Sequence, residues 1–180
     1  RVGNELSAQR AAVLNNHVKT TELLLTDIDS GVTPQPDLIV WPESGTDIDP
    51  LVSGIAAEAI SDLAQRSEAP ILIGATTWYS SGSKGDGPTN SGIMWSKSGP
   101  ADIYSKNHLV PFGEYIPFAN LLGRFGLKGL AAEDGAGFQP GVGKRILQNG
   151  NLGTFLPLIC YEAIFPGLAQ LQDNRPDWIL

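Results

Sequence analysis

The sequence predicts an α/β fold, and three observations lead there. Short apolar runs of strand length, Asp37-Leu-Ile-Val-Trp41 and Ala69-Pro-Ile-Leu-Ile-Gly-Ala75, alternate with amphipathic helical patterns, giving an α-β-α-β order. Those runs are apolar without alternation, as strands covered on both faces are. Finally, an acid (Glu43) and the single cysteine (Cys160) each follow such a run, where open α/β sheets commonly place their chemistry.

The elements follow in order. Leu14, Val18, Thr21, Leu25 and Ile28 recur at spacings of 4, 3, 4 and 3, one face of an amphipathic helix over residues 4–30. His17 within it reads as a half-buried or solvated histidine, with no second ligand-type residue suitably placed for a metal. Gly31 to Pro36 breaks the helix. The strand 37–41 runs into Pro42-Glu43-Ser44-Gly45; taken alone, Glu43 reads equally as a surface turn residue or a functional acid. A second helix is predicted over Pro50–Arg66, with Leu51, Ile55, Ala59 and Leu63 on its packing stripe and Pro50 in the first turn. After the strand 69–75, Ser80–Gly87 is a solvated hairpin connection whose glycines lack the ending and setting of a phosphate loop. Asn90–Trp95 and Ala101–Ser105 are strands joined by a turn at 97–100.

Tyr104–Pro117 is a loop with little periodicity. It holds Lys106, His108 and Glu114 among aromatics and prolines, and ordered loops of this kind are often functional. Lys106 alone would pass for a solvated charge; His108 reads as a hydrogen-bonding support and not a general base. After a short apolar segment, Phe118–Leu122, the Gly- and Ala-rich stretch 123–137 reads as a mobile surface segment or lid. Phe138–Gly141 is a turn, and strands are expected near 144–147 and 153–159. The last of these delivers Cys160 to a junction with a helix-like segment, Glu162–Gln172, packed through Ala163, Leu168 and Leu171. A lone cysteine in an apolar run is ordinarily a buried structural residue; at a helix N-terminus it would instead gain thiolate character.

Bulk composition bounds the function. Hydrophobic content of 42% and charged content of 17% describe a chain with enough core to fold as one domain. The net charge of −7 argues against sequence-independent nucleic-acid binding, which needs a basic surface. One cysteine makes no internal disulfide, and no apolar run approaches the roughly 20 residues of a membrane helix. The chain opens at Arg1 without an initiator Met and stops on Asp177-Trp-Ile-Leu180, which reads as the start of a strand. It is therefore expected to be a piece of something longer.

Glu43, Lys106 and Cys160 fall in that order, and this resembles the Glu-Lys-Cys pattern of the nitrilase superfamily over nearly the whole chain. Val40-Trp-Pro-Glu-Ser44, Lys106-Asn-His-Leu-Val-Pro-Phe-Gly-Glu-Tyr115 and Ile159-Cys-Tyr-Glu162 are similar to the nitrilase-like domain of the apolipoprotein N-acyltransferase family. The middle motif is the most specific; soluble amidases more often carry Cys-Tyr-Asp at the third. The resemblance implies an α-β-β-α sandwich, with residues 1–180 an incomplete catalytic domain truncated at its C-terminus.

It also implies a mechanism. Cys160 would attack an acyl carbonyl after Glu43 takes its proton, and Lys106 would stabilise the oxyanion with a backbone N–H following Cys160. Glu114 matches a further active-site acid that orients Lys106 or Glu43, and Tyr161 and Glu162 match the positions after the nucleophile. The acyl donor would be a phospholipid and the acceptor the N-terminal amine of an apolipoprotein, with membrane attachment through segments outside this chain. That places the domain on the extracytoplasmic side of a cell membrane, whereas a soluble amidase or nitrilase with the same triad would be cytoplasmic. A non-catalytic nitrilase-like module is the third expectation. No metal or organic cofactor is called for. The 180 residues alone are expected to be inactive or poorly folded, because the family's domain continues beyond them.

Overall fold

The computed structural model describes residues 2–78, 87–117, 137–143, 145–150, 152–169 and 175–180. Helix α1 (Val2–Asp29) is followed by β1 (Ile39–Thr46), α2 (Gly54–Arg66), β2 (Ile71–Thr77), β3 (Thr89–Ser96) and β4 (Gly99–Ser105). Then come β5 (Leu147–Asn149), β6 (Gly153–Leu156), a 3-10 turn (Cys160–Ile164), the short helix α3 (Pro166–Ala169) and β7 (Trp178–Ile179). The strands form two sheets. One has the order β1-β2-β3-β4, with the first pair parallel and the others antiparallel; the second has the order β5-β6-β7, with β6 and β7 parallel.

Strand alternation sorts the core into two layers. Ile39 and Trp41, Ile71 and Ile73, and Ile93 and Trp95 face the helices, where Leu14, Leu25, Ile60 and Leu63 meet them. Leu72, Met94 and Tyr104, on the opposite face, meet Leu147 and Phe155 of the second sheet. The arrangement among the described residues is thus helix, sheet, sheet. Two buried indoles hold the helical layer, Trp41 donating to Thr21 Oγ1 at 3.1 Å and Trp95 to Ser61 Oγ at 2.9 Å. Each ring removes enough apolar surface to contribute roughly 4–6 kcal/mol of gross transfer energy. Across the second sheet, Phe155 stacks on Trp178 at 4.6 Å.

The first helix buries the face the 4/3 spacing predicts, with Leu14, Thr21 and Leu25 each at most 5% exposed. The His17 ring lies tilted at 40° against Trp41, centroids 5.3 Å apart. The second helix departs from expectation. It begins at Gly54, capped by Ser53, whose hydroxyl accepts from Ala56 N, and not at Pro50. Asp49 competes for the preceding residues: its carboxylate accepts from Leu51 N and Trp78 N, which fixes a turn there. The buried stripe is accordingly Ala56, Ile60, Leu63 and Ala64, and Ile55 lies 82% exposed.

Smaller corrections follow the same logic. Strand β6 ends at Leu156, where Pro157 has no N–H to extend the pairing with β5, although Leu158 N still donates to Leu180 O, and β5 lies over 147–149, later than expected. Residues 138–141 form no turn; their backbone bonds to the site, with Phe138 N donating to Glu114 O and Gly141 N to Lys106 O. The apolar segment 118–122, the lid expected over 123–137 and the connection 80–87 lie, but for the last residues of the latter two, outside the described residues, as does Leu171.

Candidate active site

Glu43 sits inside β1, not beyond its end. Trp41 pairs with Ile73 and Thr46 with Ala75, so Pro42 to Gly45 bulge opposite the single residue Gly74. Ser44 takes φ 56°, the left-handed region. A Cβ on Gly74 would lie 2.1 Å from Pro42 O and 2.8 Å from Glu43 Cα, so only glycine lets the bulge close on β2. The bulge re-aims Glu43, which remains 33% exposed.

Lys106 follows the last residue of β4 and is 1% exposed. Its ammonium lies 2.9 Å from Glu114 Oε1 and 3.4 Å from Glu43 Oε1. Burial pulls its pKa down, but the hydrogen bond and charge of Glu114, then those of Glu43, outweigh it, and the net shift is upward. The lysine therefore stays charged in the interior. Its backbone is held on both sides, its N–H donating to Asn90 O and its carbonyl accepting from Gly141 N, each at 2.8 Å. A Cβ on Gly141 would lie 2.1 Å from Ser105 O.

Glu114, 14% exposed, also accepts from Val110 N through its second oxygen, at 2.8 Å. It orients Lys106 directly. Besides Lys106, Asn90 links it to Glu43, with its amide nitrogen 2.6 Å from Glu43 Oε1 and 3.2 Å from Glu114 Oε1.

Cys160 is exposed and takes φ 50° at the start of the 3-10 turn. A non-glycine residue in that region costs about 1–2 kcal/mol, which the surroundings must offset. The anticipated helix N-terminus is absent: a five-residue 3-10 turn has little macrodipole, and Ala163 is exposed, although Leu168 is buried. The turn is instead fixed by Glu162, fully buried. Its Oε1 accepts from Tyr104 Oη (2.8 Å), Asn107 N (2.8 Å) and His108 N (3.1 Å), and its Oε2 from Ile159 N (2.9 Å). One carboxylate thus ties the residue before Cys160 to the two residues after Lys106. The Tyr104 phenol is held well above its ordinary range, by burial first, with Asn107 pulling it down and Glu162 pushing it up.

The structure thus brings Glu43 and Glu114 each against Lys106 and links the Cys160 turn, through Glu162, to the backbone that follows Lys106. His108 supports the site by its backbone N–H, while its ring packs 4.9 Å from Phe165; Tyr161 meets the same phenyl edge-on at 5.0 Å. Sequence reasoning missed Asn90, Tyr104, Gly74 and Gly141. Only Asn90 left a signal, as an amide in a strand that is otherwise small or apolar. Among the described residues, no group of three His, Cys, Asp or Glu side chains is placed to hold a metal ion.

No protein-family model matches the chain. Its sequence is 36% identical over 173 residues to the apolipoprotein N-acyltransferase of Mycolicibacterium smegmatis, an alignment covering 94% of this chain and 28% of the relative. The apolipoprotein N-acyltransferase of Brucella suis is 33% identical over 164 residues, covering 89% of this chain and 29% of the relative. Among solved structures, a branch 10 nitrilase-superfamily protein of Saccharomyces cerevisiae superposes with a TM-score of 0.59 at 21% identity, over 89% of this chain and 53% of that one. The chain thus shares the fold of nitrilase-superfamily proteins. A CN-hydrolase superfamily protein of Xanthomonas campestris shows the same fold, with a TM-score of 0.55 at 19% identity over 90% of this chain and 54% of that one. The helix-sheet-sheet arrangement is accordingly part of a nitrilase-like sandwich. The chain spans under a third of the length of the curated relatives it matches, 28% and 29% of those above.

Proposed function

We propose that residues 1–180 form part of the catalytic domain of an N-acyltransferase that works through an acyl-thioester on Cys160. The supporting observation is the buried ammonium of Lys106, held by two carboxylates and tied through Glu162 to the cysteine turn. Glu43 takes the thiol proton as Sγ bonds to the carbonyl carbon of a phospholipid ester. An ammonium has three N–H donors; Glu43 and Glu114 occupy two of Lys106's, and the third meets the oxyanion, alongside a backbone N–H following Cys160. Collapse breaks the ester C–O bond, Glu43 returns its proton to the departing lysophospholipid, and a thioester remains. The N-terminal amine of an apolipoprotein then attacks the thioester, its proton passes to Glu43, and the thiol is restored as the amide forms.

The sequence relatives supply the substrates in this reading, since their names are those of apolipoprotein acyltransferases. Among the described residues no helix is long and apolar enough to cross a membrane. By likeness to those relatives, the reading assigns membrane attachment to segments outside this chain and the domain to the extracytoplasmic face.

Mass spectrometry of the full-length protein after incubation with phospholipid vesicles tests it. A fatty-acyl adduct on Cys160, absent from Cys160→Ala, is expected. Adducts from small amides alone would replace the acyltransferase with a carbon-nitrogen hydrolase, and adducts surviving in Cys160→Ala would overturn the nucleophile.

A further inference from the structure

Four polar groups make a closed ring at the site. Glu43 Oε1 receives Asn90 Nδ2 at 2.6 Å and Lys106 Nζ at 3.4 Å; Glu114 Oε1 receives the same two donors at 3.2 Å and 2.9 Å. The shortest contact in the ring is therefore the neutral one. Asn90 is 7% exposed, and its backbone carbonyl separately accepts the Lys106 N–H. One residue of β3 thus holds the main chain of the lysine and the side chains of both acids.

We infer that Asn90 is a positioning residue that clamps Glu43 by one oxygen and leaves Oε2 as the proton acceptor. The inference rests on the proposed role of Glu43 as base, though not on the identity of the acyl donor. A carboxylate held by Lys106 alone could pivot about that 3.4 Å contact. A second donor on the same oxygen removes the freedom and fixes which lone pairs point outward. A neutral amide suits this place. The charged groups facing Glu43 are already Lys106 from the end of β4 and Glu114 from the following loop, and the carboxylate of Glu162 lies beyond Asn107. Another anion there would oppose ionisation of Glu43, and another cation would weaken it as a base.

The pH dependence of Cys160 alkylation by iodoacetamide, measured in the full-length protein, tests this without any choice of substrate. Asn90→Asp keeps the shape and removes the donor. Asn90→Ala removes both, and thermal melting reports whether each variant still folds. In both, the acid limb of the alkylation profile should move up by about one pH unit or more, because a hydrogen bond to the ionised form is lost and, in the aspartate, a like charge is added. At a fixed pH on the acid side of both limbs the rate should fall about tenfold or more.

Melting temperatures that drop while the acid limb stays in place would reduce Asn90 to a structural residue and overturn the inference. An unchanged rate and limb would overturn it as well. Should wild-type protein show the expected limb and the variants the expected displacement, yet no acyl adduct form from phospholipid, Asn90 keeps its role and the acyltransferase reading fails. The two failures are thus separable.

Discussion

Removing the carboxylate of Glu162 should loosen the Cys160 turn and the Lys106 loop together, and the size of the effect follows from its hydrogen bonds. Three donors converge on Oε1 and one on Oε2. In Glu162→Gln the amide oxygen can keep the three, but its NH2 group then faces the Ile159 N–H, donor against donor. That bond, worth about 1.5–3 kcal/mol to a charged acceptor, is lost. The other three weaken to neutral strength, about 1 kcal/mol each. Against this stands relief of the several kcal/mol spent burying an anion with no cationic partner among the described residues. The net cost is about 2 kcal/mol.

Glu162→Ala gains the same relief but strands four donors, the N–H groups of Asn107, His108 and Ile159 and the O–H of Tyr104, at about 1–3 kcal/mol each, for a net cost of about 4 kcal/mol. Amide hydrogen exchange reads the effect locally, with Ile93 in the centre of β3 as internal reference. Protection at residues 107, 108 and 159 should fall about 30-fold in the glutamine variant and about a thousandfold in the alanine variant, with Ile93 unchanged. Equal protection in wild type and Glu162→Ala would refute the brace. An equal fall at Ile93 would show global destabilisation in place of local release.

Two further predictions follow. Gly74→Ala should lower the rate of Cys160 acylation about a hundredfold, because its Cβ cannot coexist with Pro42 O at 2.1 Å and the bulge bearing Glu43 must move. Gly54→Ala, with nothing within 4 Å, should leave that rate unchanged in the same mass-spectrometric assay. At alkaline pH the fold should weaken, because Lys106 and Tyr104 both have raised folded-state pKa values. Their stabilisation is complete below the ordinary values of 10.5 and 10.0 and is lost as pH rises through the folded ones. The loss is up to about 1.4 kcal/mol per pH unit for each group, and urea midpoints measured from pH 8 upward would check it.

The sequence made the architecture and residue types legible to different depths. Helix α1 could be read to its buried face because the 4/3 spacing of Leu14 to Ile28 is a property of the chain alone. The stripe of α2 could not, since it depends on where the helix begins, and Asp49 sets that by binding Trp78 N, 29 positions away. At the site, Glu43 and Cys160 stood out as polar groups following apolar runs, whereas Lys106, which alone would pass for a solvated charge, was legible only through the motif around it. Asn90 and Tyr104 acquire their roles only through strand register, which brings Gly92 opposite Tyr104 and sets Asn90 beside Lys106. The glycines at 74 and 141 matter for a missing Cβ, and nothing in a one-dimensional pattern distinguishes a glycine pressed against a carbonyl from one in open space.

The presence of two acids on one lysine has a physical reason within the proposed mechanism. Glu43 changes charge in every cycle, becoming neutral whenever it holds the thiol or amine proton. With Glu43 as sole partner, Lys106, 1% exposed, would at that moment be a buried cation without a counter-ion, and its proton would be easiest to lose just when the oxyanion needs it. Glu114 removes that coupling. It lies nearer the ammonium, 2.9 Å against 3.4 Å, its other oxygen is fixed by Val110 N, and no step asks it to accept a proton. One acid therefore trades protons with the reacting groups while the other keeps the lysine charged, and Asn90, neutral and bonded to both, holds them apart without favouring transfer between them.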